Sequence, residues 1–203
     1  MNQKSDKKER HQQRMQHQKT VVDKSIKRAK QDKGLLLVLT GNGKGKSSSG
    51  FGMVARALGH NMRVGIVQFI KGSSSTGEET FFRRFADDVE YNVVGDGFTW
   101  DTQNLEKDIA SAEAGWKICK KLLQDPTINL VLLDELNIVL KMKYLDTETV
   151  LADIANRPIM QHVIITGRGA PETVIEAADT VSRVEDVKHA FRAGIQAQKG
   201  IEL

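Results

Sequence analysis

The sequence predicts an α/β protein: a doubly wound, mostly parallel sheet of about five to six strands, with helices on both faces. Three observations predict it. Short apolar runs recur along the chain, among them Leu35 to Leu39, Ile128 to Leu133 and Gln161 to Thr166, and helical patterns lie between them. The first run passes through a glycine-rich turn directly into a helix start, LLLVLTGNGKGKSSSGFG over residues 35–52. A later run, INLVLL, ends in the acidic pair Asp134–Glu135. Strands joined through a crossover helix become parallel neighbours, and their helices cover the sheet faces.

Taken in order, residues 1–33 form a basic N-terminal arm, possible to read as helix in its second half, and residues 34–203 form a single domain. The arm holds eleven Lys or Arg against four acids, a net +7, which leaves −3 of the total +4 for the rest of the chain. Its first dozen residues read as solvated. From Met15 a thin apolar stripe of Met15, Val22, Ile26 and Ala29 follows helical spacing. That stripe is too narrow for a core element and leaves two readings, a solvated extension or a lid that docks on a surface. The arm has no aromatic residue to stack a base, so nucleic acid is not an expected partner.

Within the domain, the run Leu35 to Leu39 is the first strand and residues 46–59 the first helix, with Gly59 as its C-cap. Arg63 to Ile70 is the second strand and Glu78 to Phe85 a short helix. Val89 to Val94 is the third strand, and Thr102 or Asn104 caps a long helix reaching about Leu123. Ile128 to Leu133 is the fourth strand, followed by short helices near 135–143 and 147–156. Gln161 to Thr166 is the fifth strand, Glu172 to Ala178 a helix, and Thr180 to Val184 the last strand.

Bulk properties narrow the class. At 203 residues, 39% hydrophobic and 28% charged, the chain suffices for one well-cored domain. No apolar run approaches the roughly 20 residues that span a bilayer, and the polar N-terminus has no signal-peptide core. No membrane association is expected. Cys119 is the only cysteine, so no internal disulfide can form, and a cytoplasmic, reducing location is expected. In its half-apolar helical segment Cys119 reads as a packed thiol.

The chemistry starts at the glycine turn. A strand, a glycine loop and Lys-Ser at a helix N-terminus form the P-loop arrangement that holds a polyphosphate. Gly41, Gly43 and Gly45 let backbone N–H groups close on phosphate oxygens, with Asn42 and Lys44 between them. The helix N-terminus adds unpaired N–H groups and a positive dipole end. Lys46 supplies a cation for the phosphates and Ser47 a hydroxyl for Mg²⁺. Against the general pattern G-x-x-x-x-G-K-[ST], Thr40 stands where the first glycine belongs and Gly41 comes one place late.

Three further groups fall at C-terminal strand ends, the edge where open α/β sheets bind ligands. Asp134 and Glu135 end the fourth strand in the Walker B manner, where a carboxylate holds Mg²⁺ directly or through water. Lys71 follows the second strand, and Arg168, between Gly167 and Gly169, follows the fifth. Each has a bland reading, as a solvated charge or a helix cap, but their convergence on one edge points to an ATP–Mg²⁺ site. The loop Gly97-Phe98-Thr99-Trp100 places two aromatics at i and i+2 near that edge. They either offer a plate to a flat ligand or fold into the core beneath the loop. Asp96 has no assignable role, and no position declares itself as the base a kinase or NTPase needs.

At this point the chain resembles the P-loop family of ATP:corrinoid adenosyltransferases. The resemblance runs through T-G-N-G-K-G-K-S (40–47), V-Q-F-I-K-G (67–72), G-F-T-W (97–100), L-L-D-E-L (132–136), I-I-T-G-R-G (164–169) and K-H-A-F-R-A-G (188–194). It covers nearly the whole chain in order. The late first glycine matches the variant loop of that family. Ser47-Ser48-Ser49 stands where threonines are usual, and a hydroxyl survives at position 47.

The resemblance implies a P-loop NTPase-like fold and a reaction in which cobalt(I) of a corrinoid attacks the 5′ carbon of ATP and expels triphosphate. It implies ATP as substrate, Mg²⁺ (with Mn²⁺ as a substitute), and cobalamin, cobinamide or cobyrinic acid diamide as the corrinoid. Gly41 to Ser47 would take the triphosphate, with Ser47, Glu135 and Asp134 on the metal side. Phe98 and Trp100 would press on the lower face of the corrin ring, and with Glu135 and Arg168 they make up the expected catalytic group. A flavoprotein such as flavodoxin would supply electrons, and a homodimer is implied, with the N-terminal helix able to cover an active site. The alternative is a P-loop kinase or NTPase acting on another substrate.

Overall fold

The computed structural model describes residues 3–70, 76–94 and 104–201, with side chains from Lys7 onward. The apolar runs become six strands: β1 (Leu36–Thr40), β2 (Val64–Gln68), β3 (Val89–Val93), β4 (Leu130–Asp134), β5 (His162–Thr166) and β6 (Thr180–Arg183). They form one sheet in the order β3-β2-β4-β5-β1-β6, and every pairing is parallel. The predicted doubly wound sheet is therefore fully parallel. Central strands of such a sheet are covered on both faces, and all residues of β2 and β4 are buried. The edge strand β6 is exposed along its length.

Side chains alternate between the two faces. On one face lie α2 (Lys46–Leu58) and α3 (Gly77–Phe82), packing Phe51, Val54 and Phe82 against Ile66, Tyr91, Leu132 and Ile164. On the other face lie α4 (Leu105–Gln124), α5 (Leu136–Lys141), α6 (Thr147–Ala155) and α7 (Glu172–Ala177). Their Trp116, Leu122, Leu136, Ile154 and Val174 meet Val131, Leu133, Val163 and Ile165. Each such large side chain, fully buried, contributes on the order of 1.5–3 kcal/mol. Cys119 sits at 0% exposure in this second cluster, and burial pushes its thiol pKa up, so it packs as a small apolar group.

The caps explain where helices begin. Asn104 Oδ1 accepts from Lys107 N at 3.0 Å, Asp146 Oδ2 from Thr149 N at 2.8 Å, and Thr76 Oγ1 from Glu79 N at 3.2 Å. The alternative cap, Thr102, lies outside the described residues. The helix expected over Glu78 to Phe85 is α-helical only to Phe82, and Arg83–Phe85 continues it as a tight 3₁₀ turn. Phe51, Phe81, Phe82 and Phe85 touch one another in stacked and edge-on pairs there, with Phe81 left 46% exposed.

The chain divides into two compact units, Met1–Asp32 and Lys33–Leu203. The first is a single helix, α1 (Gln3–Arg28), of 26 residues. It starts about twelve residues before the apolar stripe at Met15, because Lys, Gln, Arg and Glu are themselves good helix formers and need no buried face. From Lys7 every residue of α1 is exposed, Met15, Val22 and Ile26 included. Lys27 and Arg28 occupy its last turn, where the helix dipole favours cations. Among the described residues, no helix is long and apolar enough to cross a membrane.

Candidate functional site

β1 carries the chain to the C-terminal edge of the sheet and releases it into the glycine turn. Gly41 and Gly45 have φ of 101° and 109°, a region that side chains disfavour. The turn is also crowded by the tail of β6. A Cβ on Gly41 would lie 2.3 Å from the Val184 carbonyl oxygen, and one on Gly43 would lie 2.4 Å from that of Glu185. Val184 N donates to Thr40 O at 2.8 Å, and Gly43 N donates to Val184 O at 2.9 Å. Gly45 is the N-cap of α2 and offers no side chain, so the first amide groups of α2 have no side-chain cap.

Lys46 is 6% exposed, and its Nζ donates to the Gly43 carbonyl at 2.6 Å. Burial pushes its ammonium pKa down. Glu135 pulls it back up, whereas Arg168 and Lys44 push it further down. Lys46 thus feels two further cations, Lys44 and Arg168, and the carboxylates of Glu135 and Asp134.

Across a cavity of about 580 Å³ stands the end of β4. The cavity is lined by Lys44–Ser48 of the loop and helix start, by Glu135 and Arg168, and by Glu78, Phe81 and Ile201 among others. Glu135 caps α5 in the left-handed region, at φ 61°. Its N–H donates to Thr166 Oγ1 at 3.0 Å, and its Oε2 is buried with no hydrogen-bond partner. Burial, and then the neighbouring Asp134 charge, push its carboxyl pKa up to about 6, against the pull of Lys46 and Arg168. Gly167, at φ 122°, leaves room for this side chain, since a Cβ there would lie 3.0 Å from Glu135 Oε2. A carboxylate with an unpartnered oxygen, on the wall of a cavity that also holds a cationic loop and the Ser47 hydroxyl, is a donor set that could hold a hard divalent cation. Among the described residues there is no cluster of three His, Cys, Asp or Glu. Mg²⁺ bound mainly by phosphates and water needs none.

Asp134 is 3% exposed and lies behind Glu135. Its Oδ1 accepts from Thr166 Oγ1 at 2.6 Å and its Oδ2 from Gln68 Nε2 at 3.0 Å. Arg168 is exposed on the same cavity, between the left-handed Gly167 and Gly169. Gly41 and Asn42 line a second cavity of about 450 Å³ on the β6 side of the loop, with Arg183, Glu185, Asp186 and Arg192. Of the residues singled out from the sequence, Lys44 to Ser47, Glu135 and Arg168 thus share one cavity. Lys71, Phe98 and Trp100, and Asp96 beside them, lie outside the described residues.

Four buried polar residues near the site had not been singled out: Gln68, Tyr91, Thr166 and Asn137. The signal was present for two of them, since Gln68 and Thr166 are polar residues closing otherwise apolar strands at the ligand edge. Asn137, wholly buried, donates from Nδ2 to Gly167 O at 3.1 Å and so ties α5 to the turn that carries Arg168.

A parallel sheet whose first strand enters a glycine loop and a Lys-Ser helix start, with an acidic strand end across the cavity, defines a P-loop type α/β protein. Residues 32–203 match the family model described as ATP:corrinoid adenosyltransferase BtuR/CobO/CobP, and residues 1–26 match that of the cob(I)alamin adenosyltransferase N terminal. The chain belongs to the ATP:corrinoid adenosyltransferase family. It is 62% identical to a corrinoid adenosyltransferase of Pseudomonas aeruginosa over 203 residues, covering 100% of both chains. It is 46% identical to one of Escherichia coli strain K12 over 194 residues, 96% of this chain and 98% of that one. Among solved structures, the flagellar accessory protein FlaH of Methanocaldococcus jannaschii matches with a TM-score of 0.50 at 14% identity, over 75% of this chain and 71% of that one. That likeness is one of fold alone.

Proposed function

We propose that this protein transfers the 5′-deoxyadenosyl group of ATP to the cobalt of a reduced corrinoid and releases triphosphate. The family relationship supplies the reaction, and one structural observation supports it in this chain. The 580 Å³ cavity brings Lys44, Lys46 and Arg168 together at the helix N-terminus, and among the described residues no His or Cys lines it. The substrate's cobalt(I) provides the electron pair that forms the bond to C5′, and the C5′–O bond breaks with its electrons going to triphosphate. No side-chain nucleophile is required. The protein's work is to hold the 5′ carbon toward cobalt and to stabilise the charge that grows on the leaving oxygen.

In this reading, the loop Gly41 to Ser47 holds the triphosphate at its helix end, through the backbone N–H groups of Lys44 to Ser47 and the Lys46 ammonium. Gly41 to Gly43 shape the turn against the tail of β6, and Arg168 reaches the triphosphate from elsewhere on the same cavity. Ser47 and Glu135 hold Mg²⁺, with Asp134 behind them. The ion neutralises phosphate charge that the lysines alone would leave unbalanced. Phe98 and Trp100 lie against the lower face of the corrin, favouring the four-coordinate cobalt that is easier to reduce. A reduced flavin or flavoprotein is the electron source. The enzyme works in the cytoplasm as a homodimer.

The test is product identity. ATP, Mg²⁺ and chemically reduced cobalamin are expected to give a light-sensitive adenosylated corrinoid and triphosphate in equal amounts. ADP as the nucleotide product, with neither adenosylated corrinoid nor triphosphate formed, would instead indicate γ-phosphoryl transfer or hydrolysis and would end this reading. Phe98→Ala and Trp100→Ala are expected to lose turnover from cobalt(II) with a flavin reductant while ATP affinity, measured by calorimetry, stays within about twofold. Full activity in both variants would remove the aromatic plate from the account.

A further inference from the structure

Behind the cavity runs a continuous hydrogen-bonded chain that crosses four strands. The Tyr91 hydroxyl on β3 donates to Gln68 Oε1 on β2 at 2.7 Å. Gln68 Nε2 donates to Asp134 Oδ2 on β4 at 3.0 Å. The Thr166 hydroxyl on β5 donates to Asp134 Oδ1 at 2.6 Å and, with its remaining lone pairs, accepts the Glu135 N–H at 3.0 Å. All four side chains in this chain are buried, between 0% and 7% exposed. Every donor direction is fixed by its neighbours. Gln68 gives its amide N–H to Asp134 and is left with its carbonyl toward the Tyr91 hydroxyl, and Thr166 gives its hydroxyl proton to the other Asp134 oxygen.

We propose that Tyr91, Gln68, Asp134 and Thr166 form a positioning frame, and that Asp134 acts as its anchor and not as a direct metal ligand. Both oxygens of Asp134 are engaged within the sheet. Its neighbour Glu135 is the opposite: one oxygen has no partner, and the backbone sits in the left-handed region at φ 61°. That conformation is uncommon for a non-glycine residue. The other two among the described residues, Asn61 and Lys143, sit in exposed turns, whereas Glu135 follows a buried strand end and its amide is held by a hydrogen bond. Thr166 supplies that constraint, tying the Glu135 amide to the Asp134 carboxylate through one hydroxyl. Parallel register brings the parts together, because Gln68 pairs with Asp134 across β2 and β4, and Leu133 pairs with Ile165 across β4 and β5. The frame holds the backbone from which Glu135 lines the cavity shared with the P-loop. Outer-shell groups of this kind tune metal affinity by about 10- to 100-fold.

The inference rests on the ATP–Mg²⁺ reading of the cavity, and the experiment separates the two. ATP affinity is measured by calorimetry in EDTA and across a Mg²⁺ series for the wild type, Thr166→Val, Thr166→Ser and Tyr91→Phe. For the wild type, affinity is expected to rise with Mg²⁺; if it does not, the metal site itself is wrong. Given that rise, Thr166→Val is expected to need about tenfold more Mg²⁺ for the same gain, with ATP affinity in EDTA within twofold of wild type. Thr166→Ser, which keeps the hydroxyl, is expected to restore the wild-type curve, and Tyr91→Phe to shift it in the same direction by less. A Thr166→Val curve superposing on wild type overturns the frame. So does an equal loss with and without Mg²⁺ that Thr166→Ser fails to rescue. If Thr166→Val does not fold, Tyr91→Phe decides, and an unshifted Mg²⁺ curve in that variant overturns the proposal.

Discussion

A carboxylate buried without a full set of partners destabilises the fold that holds it. Glu135 is half-buried beside Asp134, one of its oxygens lacks a partner, and its carboxyl is pushed up to about 6. Because the folded value is raised, the native state binds the proton more tightly than the unfolded chain. The resulting penalty is absent below the unfolded value, develops as pH rises through the folded value, and is complete above it. Glu135→Gln keeps the shape and removes the charge. At pH 8 in EDTA the variant is expected to be more stable than wild type by about 1–2 kcal/mol in urea denaturation, while losing the Mg²⁺-dependent part of ATP affinity. A variant no more stable than wild type would refute the burial account. Lys46 shows the complementary case, and Lys46→Ala is expected to weaken ATP binding at least tenfold, or about 1.4 kcal/mol. Both residues were legible in the sequence because a P-loop and an acidic strand end are local patterns. Gln68 and Thr166 were legible only as polar ends of apolar strands and Tyr91 not at all, because the part each plays comes from a partner on another strand.

At the scale of elements, the six strands were legible as apolar runs, but their order was not. Runs such as VGIVQ and LVLLD are equally apolar, and nothing local says that β5 lies between β1 and β4. Helix ends were legible where a cap spoke for them, as at Asn104, and less so at α3, where the last turn tightens after Phe82. The long reach of α1 was hidden because a charged helix without an apolar face leaves no periodic signature. The edge strand β6 is fixed to β1 by a local device that the sequence did not announce. Leu36 N donates to Asp179 Oδ2 at 2.9 Å, Asp179 N returns a bond to Leu36 O at 2.9 Å, and Lys33 pairs with the same carboxylate. The Lys33 hydrogen bond first, and the Leu36 amide second, hold the Asp179 carboxyl below the usual carboxylate range. A depressed folded value gives a contribution that is present above the unfolded pKa and lost as pH falls through the folded one. Asp179→Asn is therefore expected to flatten the acid side of the profile of thermal midpoint against pH, with its difference from wild type largest near neutrality. A difference that does not shrink as the medium is acidified would show that the ion pair is not its source.

For the whole molecule, the sequence separated a basic arm from a slightly acidic domain, and the contacts of each unit show what that separation means physically. Every described side chain of α1 from Lys7 is exposed, so the helix contains no core of its own. The sheet unit, by contrast, holds two buried clusters that begin at Leu36 and end at Val174, with no member from residues 1–32. Stability in a domain of this size comes mainly from such burial. Removal of residues 1–32 is therefore expected to leave a cooperative unfolding transition with a thermal midpoint within about 2 °C of the full chain. Because every described residue of the P-loop cavity belongs to Lys33–Leu203, ATP affinity in the presence of Mg²⁺ is expected to stay within about twofold. Scanning calorimetry and titration calorimetry on the same preparation read both. A broadened transition, or a midpoint lowered by far more than 2 °C, would show that the core of the sheet unit does not suffice for its stability. A truncated chain that keeps its fold and its ATP affinity but loses turnover of chemically reduced corrinoid would assign the arm to the second substrate, because ATP binding is then intact and no electron donor is needed.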